Sequence, residues 1–212
     1  MPGGRYVSAL SLRWLTPYYD ALVEGPMTAM GMRKGLLANM GDLSGKSVLD
    51  VGCGTGTFVI MMQQAYPGAR VAGLDGDAQI LDIARGKAAS EGLNIRFSEA
   101  MSYAMPYPDG TFDLVVTSLM LHHLGRQAKQ DTANEMFRVL RPGGLLFGID
   151  FAEPRGTLGR ALRPLARRFE RVAENVDGLL PVMFAEAGFR EYGELHRYVF
   201  GSLALFRGEK PL

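Results

Sequence analysis

The chain has 212 residues, 47% hydrophobic and 21% charged, with a formal net charge of +1. These figures fit one globular domain with a sizeable core, and they exclude a global positive field that would draw the protein to nucleic acid. Cys53 is the single cysteine, so no internal disulfide can form, and the opening Met-Pro-Gly-Gly-Arg-Tyr carries no continuous apolar segment; a reduced, cytoplasmic protein without signal peptide or membrane span is expected.

Residues 1–45 precede the first expected strand. Val7, Leu10, Trp14 and Tyr18 recur near helical spacing with Pro17 interrupting, which predicts two short helices. A further helical pattern runs from about Met27 to Met40, with Gly41 as its C′ residue. Trp14, Tyr18 and Tyr19 gather aromatic surface that can serve as core staples.

Lys46–Val51 reads as the first strand and Thr57–Ala65 as the helix after it. Gly52, Cys53, Gly54, Thr55 and Gly56 join them. Glycine is required where a chain turns tightly or a ligand lies against bare backbone, and a helix N-terminus can turn free N–H groups toward that ligand. The spacing Gly-x-Gly-x-Gly departs from the dinucleotide fingerprint, whose third glycine comes one residue later. Asp50, two residues before Gly52, would disfavour a pyrophosphate and suit a ligand carrying an ammonium group. Cys53 reads as a small side chain that fits the turn rather than as a nucleophile.

Pro67-Gly68 ends the helix, and Arg70–Leu74 forms a second strand that closes on Asp75 and Gly76. Asp77 can cap the helix Ala78–Ser90, which leaves Asp75 to accept ribose hydroxyls. Asn94–Phe97 is the third expected strand. The turn-rich stretch Ser98–Gly110 leads into the fourth, Thr111–Thr117, and Ser118-Leu-Met-Leu-His-His-Leu124 follows. His122 and His123 thus fall past the carboxyl end of a central strand, where open α/β sheets place ligands. There they act as a general base or shape the pocket floor.

Gln127–Leu140 is helical, Arg141-Pro-Gly-Gly144 a sharp turn, and Leu145–Phe151 the fifth strand. Leu158, Leu162, Leu165, Phe169 and Val172 then form one helical stripe, kinked at Pro164, with Arg160, Arg163, Arg167, Arg168 and Arg171 on the remaining surface. That basic face is a solvated surface, a lid over an acidic substrate, or a contact with anionic lipid through Arg160–Arg171. Leu179–Ala187 is a last helix, and Phe189–Leu195 with Tyr198–Phe206 an antiparallel hairpin with His196 and Tyr198 at its bend. The alternation of strands and helices argues a doubly wound, mainly parallel sheet.

Val48-Leu-Asp-Val-Gly-Cys-Gly-Thr-Gly56, Leu121-His-His123 and Val139-Leu-Arg-Pro-Gly-Gly144 together resemble the class I S-adenosylmethionine-dependent methyltransferases. The loop and turn motifs are most similar to the ubiquinone/menaquinone-type small-molecule group, over about residues 45–206. The resemblance implies an α/β, Rossmann-like sheet of seven strands in the order 3-2-1-4-5-7-6, strand 7 antiparallel. It divides a single domain into an N-terminal helical lid (1–45), a cofactor core (46–151), a helical insertion (152–178) and a C-terminal helix and hairpin (179–212).

It implies S-adenosyl-L-methionine as cofactor. Asp50, Gly52, Cys53, Gly54 and Gly56 would hold its methionine part, Asp75 and Gly76 the ribose, and Met101 and Ser102 the adenine, with Ser118 and Tyr19 as further contacts. His122, His123 and Tyr18 are the base candidates. The chain departs from the family at Met101, which stands where an aspartate usually meets adenine, so backbone near Ser102 or the side chain of Glu99 would take that contact. Asp113 matches a mainly structural position. The implied reaction is in-line transfer of a methyl group to O, N or C of a small-molecule acceptor by a monomer or homodimer without a metal. A nucleic-acid methyltransferase and an NAD-dependent oxidoreductase are the alternatives.

Overall fold

Val48 to Val51 are all buried, as a strand covered on both faces requires. Their side chains alternate between two cores because successive residues of a strand point to opposite sides. Val48 joins one cluster with Leu114, Val116, Phe147 and Ile149; Leu49 and Val51 join another with Val115, Leu146 and Phe206. A computed structural model describes residues 28–157, 160, 163, 170–198 and 201–212. The helices expected before Thr28, including Tyr18 and Tyr19, and most of the arginine stripe lie outside the described residues.

In chain order the elements are α1 (Thr28–Asn39), β1 (Ser47–Val51), α2 (Thr57–Ala65), β2 (Arg70–Asp75), α3 (Ala78–Ser90), β3 (Arg96–Glu99), β4 (Phe112–Ser118), a 3-10 turn (Leu121–His123), α4 (Arg126–Val139), β5 (Leu140–Phe151), α5 (Glu170–Val176), α6 (Leu179–Glu186), β6 (Arg190–Tyr198) and β7 (Leu203–Glu209). The seven strands form one sheet in the order β3-β2-β1-β4-β5-β7-β6. β1 to β5 pair in parallel, and β7 runs antiparallel to both β5 and β6. This is the expected topology. Residues of α1, α2 and α3 cover one face; α4 and α6 cover the other. Asp77 caps α3 as expected, accepting from the N–H groups of Gln79 and Ile80.

Among the boundaries that differ from the sequence reading, three are set by strand pairing. β3 starts at Arg96 rather than Asn94, because its register is set by Ala72 and Gly73 of β2. Arg141–Gly144 is not a separate turn: β5 begins at Leu140, which pairs with Phe112, and the ladder shifts register before Leu145 meets Leu114. A bulge with Gly143 at φ 73° takes up the extra residues. The hairpin bend lies later than expected, since two register shifts lengthen β6 and carry it to Tyr198. His196 and Tyr198 therefore sit within the strand, opposite Leu205 and Leu203. Among the described residues, no helix is long and apolar enough to cross a membrane.

Candidate active site

The turn after β1 holds Gly52, Gly54 and Gly56 at φ 74°, 54° and 76°, a region costly for residues with a Cβ. The N–H groups of the turn's glycines and of Cys53 are spent within the protein. Gly52 and Cys53 both donate to Leu74 O (2.8 and 3.0 Å), and Gly56 to Cys53 O at 3.0 Å. Gly54 N donates to Asp75 Oδ2 at 2.9 Å. The glycines therefore supply conformation and clearance. A Cβ on Gly52 would collide with Met120, whose side chain lies over the turn. Cys53 Sγ packs where Gly73 and Phe97 leave room, and burial pushes its thiol well up. It is an inert filler.

Asp50 follows Val48 by two residues and so points to the α1–α2 side of the sheet. It is 2% exposed, and its Oδ1 is buried without a partner. Burial drives its pKa to about 7, with the Arg33 guanidinium opposing that rise and Asp75 adding to it. A buried polar atom left unpaired is costly and calls for a donor. An ammonium group is such a donor, so this residue fits the methionine part of S-adenosylmethionine. Arg33 of α1 brings the matching positive charge; no periodicity in the sequence distinguished it.

At the tip of β2, Asp75 accepts from Gly54 N through Oδ2 and from Asp77 N through Oδ1 at 3.0 Å, with the Gly76 N–H also facing it. Burial still leaves its pKa raised. Each carboxylate oxygen carries two lone pairs, so both retain capacity for a ribose hydroxyl. In the next loop, the Ser102 hydroxyl is turned inward to Thr132 Oγ1 at 2.8 Å, and Met101 is half-buried beside it. Glu99 is exposed. Arg138 holds this loop: it donates to Tyr107 O (2.7 Å), Met105 O (3.1 Å) and Asp109 Oδ1 (2.8 Å). Asp113 accepts from Ser47 N at 2.6 Å and pairs with Arg141, the structural part expected of it.

Past the half-buried Ser118, the chain leaves β4 through Leu119, a non-glycine residue at φ 55°. Leu119 N donates to Ile149 O at 2.8 Å. The 3-10 turn then places His122 against Asp150, which is fully buried at the carboxyl end of β5. Asp150 Oδ2 accepts from Leu121 N at 2.8 Å. Its Oδ1 meets Phe151 N (2.7 Å), Asn175 Nδ2 (3.2 Å) and His122 Nδ1 (2.9 Å). Backbone and amide N–H groups can only donate, so both oxygens of Asp150 act as acceptors. His122 Nδ1 must then carry a proton, and in the neutral imidazole Nε2 keeps its lone pair.

The His122 ring is flanked by Phe151 at 4.9 Å and His123 at 4.1 Å. Asp150 escaped the sequence reading, although a carboxylate in the apolar run Leu145–Phe151 was the available signal. Asn175 had none. His196 stacks edge-on with Tyr198 at 4.6 Å, and the Tyr198 hydroxyl abuts Gly35 of α1. Of the arginine stripe, Arg163 is committed to Asp177 at 2.8 Å and Glu153 at 3.8 Å. A cleft of about 840 Å³ lined by Ser47, Arg70, Arg96 and Tyr107 opens at the amino ends of β1 to β3, away from this site.

The strand order and the acidic residue before a triple-glycine turn define the class I methyltransferase architecture. Residues 48–144 match the methyltransferase domain family. The demethylmenaquinone methyltransferase of Thermus thermophilus is 34% identical over 187 residues, spanning 78% of this chain and 83% of that protein. The enzyme of the same name from Deinococcus radiodurans is 37% identical over 152 residues, 70% of this chain and 62% of its own length. In shape, the phosphoethanolamine N-methyltransferase 2 of Haemonchus contortus, solved with S-adenosyl-L-methionine, aligns with a TM-score of 0.76 at 14% identity, covering 100% of this chain and 62% of that one; this likeness concerns the fold alone. The chain belongs to the S-adenosylmethionine-dependent methyltransferase family that contains the demethylmenaquinone and ubiquinone/menaquinone C-methyltransferases.

Proposed function

We propose that the acceptor is a hydroxylated aromatic ring of the demethylmenaquinone type, in its reduced form, and that the methyl group goes to a ring carbon. The observation that carries this reading is the His122–Asp150 pair, set beside the glycine turn in a chain 34% identical to a demethylmenaquinone methyltransferase. When bound, S-adenosylmethionine supplies a methyl group already activated on a sulfonium. Asp50 and the turn seat its methionine part, Asp75 the ribose, and backbone near Ser102 the adenine.

A phenolic ring carbon becomes a good nucleophile once the neighbouring hydroxyl loses its proton. His122 Nε2 accepts that proton, and Asp150 stabilises the imidazolium that results. Once the carbon carries the methyl group, the ring proton at that carbon is lost to solvent, the ring oxygen takes its proton back from His122, and aromaticity returns. Alignment of carbon and methyl group provides the remainder, on the order of 7–11 kcal/mol in well-oriented systems.

The test is an anaerobic assay with S-adenosylmethionine and a chemically reduced demethylmenaquinone analogue. A product carrying one new carbon-bound methyl group is expected, with kcat lowered roughly 10²–10⁴-fold by His122→Gln. Methylation of oxygen, or full turnover by His122→Gln, would overturn the reading.

A further inference from the structure

Two successive side chains of α5 anchor it to different layers. Glu174 Oε2 pairs at 2.9 Å with Lys129 Nζ of α4, and Lys129 is fully buried. Asn175, also fully buried, reaches the other way and donates to Asp150 Oδ1. Stability does not explain an amide at that position, because Asn175 Oδ1 is buried without a partner. An apolar side chain would remove that orphan, and Asp150 would still keep the N–H groups of Leu121 and Phe151. What the amide adds is direction. With Phe151 N–H and Asn175 Nδ2 both occupying Oδ1, the imidazole is confined to the approach that remains.

We infer that Asn175 is a positioning residue for His122, kept in register by the Lys129–Glu174 pair, because its grip on Asp150 leaves the imidazole one ring orientation. The inference rests on the proton-accepting part given to His122 above.

The test uses the full chain labelled with ¹⁵N, in which only His122, His123 and His196 contribute imidazole signals. His122 should show a single tautomer protonated at Nδ1. Asn175→Leu should shift and broaden the His122 Nδ1–H signal, as the ring samples more than one orientation, and lower kcat roughly tenfold at unchanged KM, with the melting temperature equal or higher. Asn175→Ser, whose hydroxyl can still donate, should restore part of the sharp signal. Lys129→Met should act in the same direction as Asn175→Leu and serves as the readout if that variant fails to fold. An Nδ1–H signature unchanged in the folded variants would overturn the inference, whatever their stability. A shifted, broadened signal in Asn175→Leu combined with full turnover by His122→Gln would instead leave the positioning intact and remove the base.

Discussion

Asp50 has a carboxylate oxygen with no partner, in an interior that favours the neutral acid. Its folded pKa of about 7 lies above the unfolded value of about 3.9, so the folded state binds the proton more tightly. Its contribution to the stability of the ligand-free protein is therefore fully present below about pH 4 and is lost as pH rises toward 7. An ammonium group in this seat reverses the preference. Cofactor binding below neutral pH should expel a proton, so the calorimetric heat at pH ~6 should depend on the buffer's ionisation enthalpy. Asp50→Asn should abolish that dependence and weaken binding by about 1.5–3 kcal/mol, the worth of a charged hydrogen bond. Two residues on, Gly52→Ala would place a Cβ at positive φ and against Met120. We expect a loss of at least 1–2 kcal/mol from the backbone conformation, read as a lower melting temperature, together with weaker cofactor binding.

Among the elements, α4 links the loop after β3 to the stretch that follows β7. Lys210 Nζ donates to Phe137 O at 2.8 Å and Leu140 O at 2.7 Å, and lies 4.7 Å from the Phe137 ring centroid. A cation on the terminal carbonyls of a helix satisfies acceptors that have no partner within the helix. Lys210→Ala should cost about 1–2 kcal/mol in denaturant unfolding. One residue before the helix ends, Arg138 gathers Glu135, Asp109 and the carbonyls of Met105 and Tyr107. Arg138→Ala should loosen the loop beneath Met101 and raise the cofactor dissociation constant more than it lowers the melting temperature. Hydrogen exchange at residues 101–109 would reveal the loosening; unchanged protection there would count against it.

For the whole molecule, the sheet order brings the carboxyl ends of β1, β2, β4 and β5 to one edge, so ligand binding should report on the entire fold. S-adenosylhomocysteine at about 100 times its dissociation constant should stabilise the native state by about 2.7 kcal/mol. For a domain of this size that corresponds to roughly 5–10 °C in melting temperature, whereas NAD should give no shift.

Much of this architecture is legible in the chain because its signals are local. The apolar run Val48–Val51 into alternate glycines, Asp75 at the tip of β2 and Asp77 as a cap each follow from residues a few positions apart. Where pairing partners decide, local signals fail: the bulge that puts Arg141–Gly144 inside β5 and the register shifts that move the hairpin bend past Tyr198 depend on strands distant in sequence. The site divides in the same way. Asp50 and the histidines stand in recognisable motifs, and from them the class of chemistry follows. The clamp on His122 was decided only in three dimensions, since Asp150 and Asn175 lie 28 and 53 residues beyond it and meet each other beside its ring only when β5 and α5 pack against the end of β4. A hydrogen bond has no periodicity along the chain, so only tertiary packing could select which carboxylate and which amide would hold that imidazole.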